Sequence, residues 1–196
     1  MIIWINGAWG AGKTTTAIEL HNRVENSFIF DPEETGFLIN KSFPKELHQP
    51  DFQMFKEWRE INVTLLKKLA TSYSGTIIIP MTIINPQYVL EIIEELRMQD
   101  ILVTHFILET NQETLNKRLD KRFEGKDSWA RQRINPAISS LKELENVSRI
   151  QTDNLKVEEV VEIIAQETNL ELKPDHRSEL KKKIDRTLIN MKEKIN

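Results

Sequence analysis

The chain has 196 residues, 39% of them hydrophobic, with a formal net charge of −3 at pH 7 and no cysteine. That length fits one domain with a full core, and the slightly acidic balance argues against a nucleic-acid partner, whose backbone is held by clustered Lys and Arg. The absence of cysteine excludes disulfides, thiolate metal sites and thiol nucleophiles.

The chain opens on an apolar run, Met1-Ile2-Ile3-Trp4-Ile5, with no basic residues before it and Asn6 closing it, so residues 2–5 read as a strand and not as a leader. Three of the six glycines then fall within Gly7-Ala8-Trp9-Gly10-Ala11-Gly12-Lys13-Thr14. Strand, glycine-rich turn, Lys-Thr and a helix beginning at Lys13 make a complete P-loop. Its glycines let successive N–H groups face one concavity, and the helix adds its positive dipole end beneath a phosphate. ATP and Mg²⁺ are the expected ligands, held by residues 7–13 with Thr14 and Thr15. Lys13 would reach the β- and γ-phosphates, and the Thr14 hydroxyl would ligate the metal. Trp9 is bulky for such a loop and either packs on the sheet edge or faces the substrate.

Further apolar runs at residues 27–30, 76–79, 103–108 and 148–151 alternate with helical patterns, the signature of a parallel sheet covered on both faces. After the second run, Asp31-Pro32-Glu33 places carboxylates at a strand end. Asp31, with Glu33 as substitute, could accept the proton of an attacking hydroxyl; the alternative is an Asp-Pro turn. Residues 52–69 place Phe55, Trp58, Ile61, Leu65, Leu66 and Leu69 at helical spacing. The third run ends in Pro80-Met81-Thr82, with proline where a motor ATPase would carry its metal-binding aspartate. Asn116-Lys117 continues as Arg118-Leu119, which is not the Asn-Lys-x-Asp element of a guanine switch. A helix starts at Pro86 and runs to about Gln99.

Between positions 117 and 133 lie Lys117, Arg118, Lys121, Arg122, Lys126, Arg131 and Arg133, with Gly125 as a hinge. Such a segment suits a lid that neutralises charge during phosphoryl transfer; otherwise it is a solvated face balanced by Asp120 and Glu124. Arg122, Arg131 and Arg133 are candidates for phosphate contacts, and Arg118 for stacking on adenine. A helix from Ala130 or Ile134 to Glu145 follows, then one over residues 157–165 capped by Asp153-Asn154. Residues 175–195 form an amphipathic helix with Leu180, Ile184, Leu188, Met191 and Ile195 on one face and Lys181, Lys182, Lys183, Arg186, Lys192 and Lys194 elsewhere. It docks on its own domain or a second copy, or lies on an anionic membrane surface. No run approaches the roughly 18 apolar residues of a membrane span, so a cytoplasmic protein is expected.

These words together resemble the ATP-binding tunicamycin-resistance proteins of bacteria. The matching segments are residues 1–14, Phe30-Asp-Pro-Glu-Glu-Thr-Gly36, Asp51-Phe-Gln53 with Trp58-Arg59, residues 79–88, 105–107, 128–130 and 150–155. The resemblance implies a nucleotide-kinase-like P-loop fold, expected as a three-layer αβα P-loop NTPase on a five-stranded parallel sheet; the lid, at about residues 117–133, lies within a domain over residues 1–170, and the C-terminal helix (residues 171–196) follows it. It implies resistance to a nucleoside antibiotic of uracil, sugars and a fatty acyl chain, by phosphorylation or by ATP-dependent capture. Asp31, Glu33, Asp51, Gln53, Trp58 and Arg59 would then lie where the nucleoside end enters, between the second and third strands, with Thr82 following the third. Phe52, Phe55 and Trp58 could equally be helix core. A metabolic nucleotide or sugar kinase is the reading that rests on fold alone.

Overall fold

The apolar runs become strands β1 (Ile2–Gly7), β2 (Ser27–Ile29), β3 (Thr76–Pro80), β4 (Val103–Glu109) and β5 (Ser148–Gln151), all parallel, in the order β2-β3-β1-β4-β5. The computed structural model describes residues 1–122, 125, 127–178, 180–182, 184, 185 and 187. β1 and β3 are buried at every position, because each has a strand on both sides and helices on both faces. β2 and β5 are edges, and β2 leaves Phe28 exposed.

The helices are α1 (Lys13–Arg23), α2 (Pro32–Ser42), α3 (Lys56–Ser72), α4 (Pro86–Val89), α5 (Glu95–Arg97), α6 (Gln112–Lys121), α7 (Trp129–Gln132), α8 (Ile134–Lys142) and α9 (Val157–Thr168). Parallel crossovers are right-handed. The chain leaves β1 towards β2 but leaves β3 towards β4, so α1 and the α4–α5 segment cover opposite faces; α1 packs on α9, and α3 on α4–α5. This reversal opens a crevice beyond the carboxyl ends of β1 and β3. The three-layer P-loop architecture is the expected one.

Several local expectations change. α2 is a helix where the sequence suggested a turn: Asp31 caps it, Pro32 is its first residue, and Glu33 and Glu34 fill its first turn. Residues 52–69 are not one helix, because Asp51 caps a separate 3₁₀ turn (Phe52–Met54) and the chain is extended at Phe55 before α3 begins. α3 therefore buries Trp58, Asn62, Val63 and Leu66, and it exposes Ile61 and Leu65. A π-helical turn (Leu90–Glu94) joins α4 to α5. Asp153-Asn154 do not cap α9: its N-cap is Lys156, whose N–H donates to Glu159 at 2.6 Å, while Asp153 accepts from the Asn111 N–H at 3.1 Å.

Beyond α9 the chain returns along α1 through a Val24–Leu172 bridge, and Arg177 pairs with the buried Glu19 and with Asp175. Lys182 is buried beside Asp175 at 3.3 Å, whereas Leu180 and Ile184 are exposed. The docked side of this segment thus carries charge. The expectations for Lys183, Arg186, Leu188, Met191, Lys192, Lys194 and Ile195 lie outside the described residues, as do those for Glu124 and Lys126.

Candidate functional site

The P-loop runs from the buried end of β1 into α1. Gly7 has φ 153° and a Cβ there would meet the Leu108 carbonyl at 3.0 Å; Gly12, with φ 99°, has nothing within 4 Å of that position. The first needs glycine for close approach and the second for its left-handed backbone. Gly12 is the N-cap of α1 and provides no side-chain cap, and no acidic residue lies in the first turn. Asp31, Asn85, Asn111 and Ser128, by contrast, cap α2, α4, α6 and α7 with their own side chains. The N–H groups at the start of α1 are thus left for an anion, which is what a nucleotide phosphate requires. Lys13 Nζ donates to the Ala8 carbonyl at 3.3 Å, and Thr14 stands beside it. A lysine and a threonine hydroxyl in this setting fit a polyphosphate with its magnesium.

Asn6 joins this loop to the next strand. Its Oδ1 accepts from Gly7 N at 2.8 Å and Ile83 N at 3.1 Å; its Nδ2 donates to the Ile83 carbonyl at 2.7 Å and lies 3.1 Å from His105 Nε2. Thr82 Oγ1 donates to the Gly7 carbonyl at 2.8 Å. The loops after β1 and β3 are in this way one unit.

A cavity of about 650 Å³ opens on that unit. Lys13, Thr14, Trp9 and Arg122 line it on the P-loop and α6 side, and Asp31, Glu33, Asp51, Gln53 and Thr82 on the other. Gln53 is buried and donates from Nε2 to the Thr82 carbonyl at 2.9 Å. Asp31 has two positions to serve: it lines the cavity, and its Oδ1 accepts from Glu33 N at 2.9 Å as the cap of α2.

Two expected ligand residues stand behind this wall. Trp58 is fully buried, and its indole N–H donates to the Pro32 carbonyl at 2.8 Å, so it supports the start of α2 from within the core. Arg59 is turned away, bonded to Glu91 at 2.5 Å and to the Gln53 carbonyl at 2.6 Å. Neither lines the cavity: Trp58 spends its indole N–H on the start of α2, and Arg59 divides its fork between Glu91 and the turn that carries Gln53.

The arginines of the lid separate. Arg122 reaches the cavity. Arg131 does not: it turns onto α6, pairing with Asp120 at 2.5 Å and Asn116 at 3.0 Å. Arg118 donates to the carbonyls of Ala11 at 3.0 Å and Thr152 at 3.0 Å, bracing the P-loop from outside; burial pushes its pKa down. Arg133 lies 4.2 Å from the ring centroid of Trp129 and 3.5 Å from Asp51. Trp129 meets Trp9 edge-on at 4.9 Å, and both line the cavity. Trp9 therefore faces the site.

Residues 2–144 match the AAA domain family. The tunicamycin resistance protein of Deinococcus radiodurans has a similar structure, with 30% identity, a TM-score of 0.77, and 89% of this chain and 98% of that one covered. The chain belongs to the AAA domain family and to that of the tunicamycin resistance proteins. A sugar kinase from Janibacter sp. HTCC2649 shares the fold at 19% identity and TM-score 0.62, over 86% of this chain and 94% of that one. APE1195 does so at 14% and 0.58, over the same shares. A comparison with the curated proteins finds no match.

The cavity also takes residues that sequence reasoning passed over. Phe37 and Asn40 line it, as does Phe52, for which a helix-core role was the other reading, and Asn40 Oδ1 is buried without a hydrogen-bond partner among the described residues. Asn40 sits on α2, the helix that was not expected. A second hollow, of about 240 Å³, lies between α8 and the ends of β4 and β5.

Proposed function

We propose that this protein transfers a phosphoryl group from Mg-ATP to a hydroxyl of an uncharged small molecule, with a nucleoside antibiotic such as tunicamycin as the acceptor. The observation that carries the reading is a single cavity joining Lys13 and Thr14, at an uncapped helix start, to Asp31 on the facing strand end. The name of the Deinococcus radiodurans relative supports the acceptor. So does the charge of the lining: among the described residues its cations are Lys13 and Arg122, on the P-loop and at the end of α6, while the facing side carries Asp31, Glu33 and Asp51. That side repels a phosphate and suits hydroxyls.

In the proposed step the acceptor oxygen forms a bond to the γ-phosphorus as the bond to the β–γ bridging oxygen breaks. The hydroxyl proton passes to the Asp31 carboxylate, and ADP leaves. Lys13 and Arg122 neutralise the charge that develops on the transferred group, and Trp9 and Trp129 exclude water above it. Magnesium, held through the Thr14 hydroxyl, adds charge neutralisation when bound.

The cap bond of Asp31 favours a second reading. A carboxylate that already serves to start α2 needs no chemical role, and ATP-dependent capture of the antibiotic would then suffice. Mass spectrometry of tunicamycin incubated with the protein and Mg-ATP separates the two. Transfer adds one phosphoryl group to the drug, whereas an unchanged mass under confirmed binding leaves capture.

A further inference from the structure

Two ion pairs join α3 to the segment made by α4, the π turn and α5: Arg59–Glu91 at 2.5 Å and Lys67–Glu95 at 3.5 Å. They differ in what lies behind them. The Lys67 pair is open to solvent, at 37% and 39% side-chain exposure, and makes no bond to the cavity wall among the described residues. Arg59 is 11% exposed, and its fork is divided. Nε holds Glu91, Nη1 donates to the Gln53 carbonyl at 2.6 Å and the Phe55 carbonyl at 3.1 Å, and the plane stacks 4.4 Å from the centre of the Tyr88 ring. Glu91 is itself held, since its other oxygen accepts from Gln87 at 2.9 Å.

The chain of bonds continues inward. Gln53 donates to the Thr82 carbonyl and Thr82 to the Gly7 carbonyl, so the guanidinium is linked through one side chain and one hydroxyl to the first residue of the P-loop. Glu91 occupies the π turn, a geometry that recurs at functional sites because it re-aims a side chain at the cost of regular bonding. We propose that Arg59, held by Glu91, is a positioning residue that sets the Phe52–Met54 turn in register with the P-loop and thereby governs acceptor affinity, touching neither acceptor nor nucleotide. The inference deepens the function proposed above and rests on it for the identity of the acceptor.

A planar fork holds a carboxylate and two carbonyls in fixed directions, whereas the three donors of an ammonium radiate from one atom on a flexible stem and do not fix that geometry. Arg59→Lys and Glu91→Gln should therefore both loosen the turn, and Glu95→Gln, which breaks the neighbouring pair between the same helices, should not. The test uses the full chain with three readouts: calorimetric affinity for Mg-ATP, affinity or KM for tunicamycin, and amide exchange at residues 53–55. Loss of hydrogen bonds to a charged group of this kind should weaken tunicamycin binding about tenfold and speed exchange at the turn, with kcat and ATP affinity unchanged. Equal effects from Glu91→Gln and Glu95→Gln, or a fall in kcat at constant KM, would overturn the inference. Should the wild type take up ATP but no tunicamycin, the acceptor assignment fails separately. Exchange at residues 53–55 then decides alone, and equal protection in Glu91→Gln and Glu95→Gln refutes the clamp.

Discussion

The two sides of the cavity are held by opposite means. The phosphate side is built on a contiguous stretch of backbone, residues 7–14, in which glycines shape the turn and an uncapped helix supplies charge, with Arg122 added from the end of α6. The facing side is assembled from side chains distant in sequence: Asp31 and Glu33 from the start of α2, Gln53 from a 3₁₀ turn, Thr82 from the end of β3. The first carries its geometry in its own spacing. The second exists only once Trp58, Arg59 and Thr82 have tied separate elements together.

Removing one group from each side should affect the protein in two distinct ways. Lys13→Ala should lower nucleotide affinity and any transfer by roughly a hundredfold or more, because a charge aimed at the transferred phosphate is lost. Asp31→Asn should act differently. Asparagine caps a helix about as well as aspartate, so stability should hold within about 0.5 kcal/mol. Transfer should still fall by about 10²–10⁴-fold if the carboxylate takes the proton. Isothermal calorimetry and single-turnover phosphate transfer measure the two effects. Full transfer by Asp31→Asn would reduce the acceptor side to a binding surface.

The same contrast explains what could be read without coordinates. All five strands, the P-loop and the layered fold follow from apolar runs and glycine spacing, which are local properties. α2 escaped because Asp31-Pro32 begins a turn and a helix alike, and Gly36 inside it weakens the helical pattern. Its glycine is there for contact: a Cβ at Gly36 would stand 2.5 Å from Phe52 Cγ. Arg131 was placed in the site by its charge, and Arg59 by the family resemblance. Their direction depends on Asp120 and Glu91, partners that residue type alone does not single out.

Gly36→Ala perturbs the facing side alone. Phe52 is packed against Trp58 at 5.4 Å and Phe37 at 6.3 Å between ring centres, which restricts its retreat. Overpacking of this kind costs about 1–3 kcal/mol, and the better helix propensity of alanine returns up to about 1 kcal/mol. A net loss of about 2 kcal/mol in urea unfolding is expected. ATP affinity should be unchanged if the two sides are held independently.

The smallest expected effect lies at the seam between them, where Asn6 ties the P-loop to Ile83 and rests on His105. Both Asn6 Oδ1 bonds come from backbone N–H groups, so its Nδ2 is the donor to His105 Nε2, which must be unprotonated to accept. Nδ1 then carries the ring proton, and it is buried without a partner among the described residues. Burial, reinforced by the charges of Arg97 and Arg149, pushes the His105 pKa down to about 3 from 6.5. Between these values the unfolded chain binds a proton that the folded chain refuses, so stability present above pH 6.5 is lost as the pH falls towards 3. Near pH 5.5 the loss is about 1.4 kcal/mol. His105→Leu removes the titrating ring and leaves Asn6 its bond to the Ile83 carbonyl. The pH slope of urea-unfolding free energy between about 8 and 5.5 should flatten in that variant by about this amount, the three remaining histidines being common to both proteins. An identical slope in the two proteins would mean that the folded chain takes up the His105 proton at the same pH as the unfolded chain, so that the bond from Asn6 Nδ2 does not hold the ring neutral.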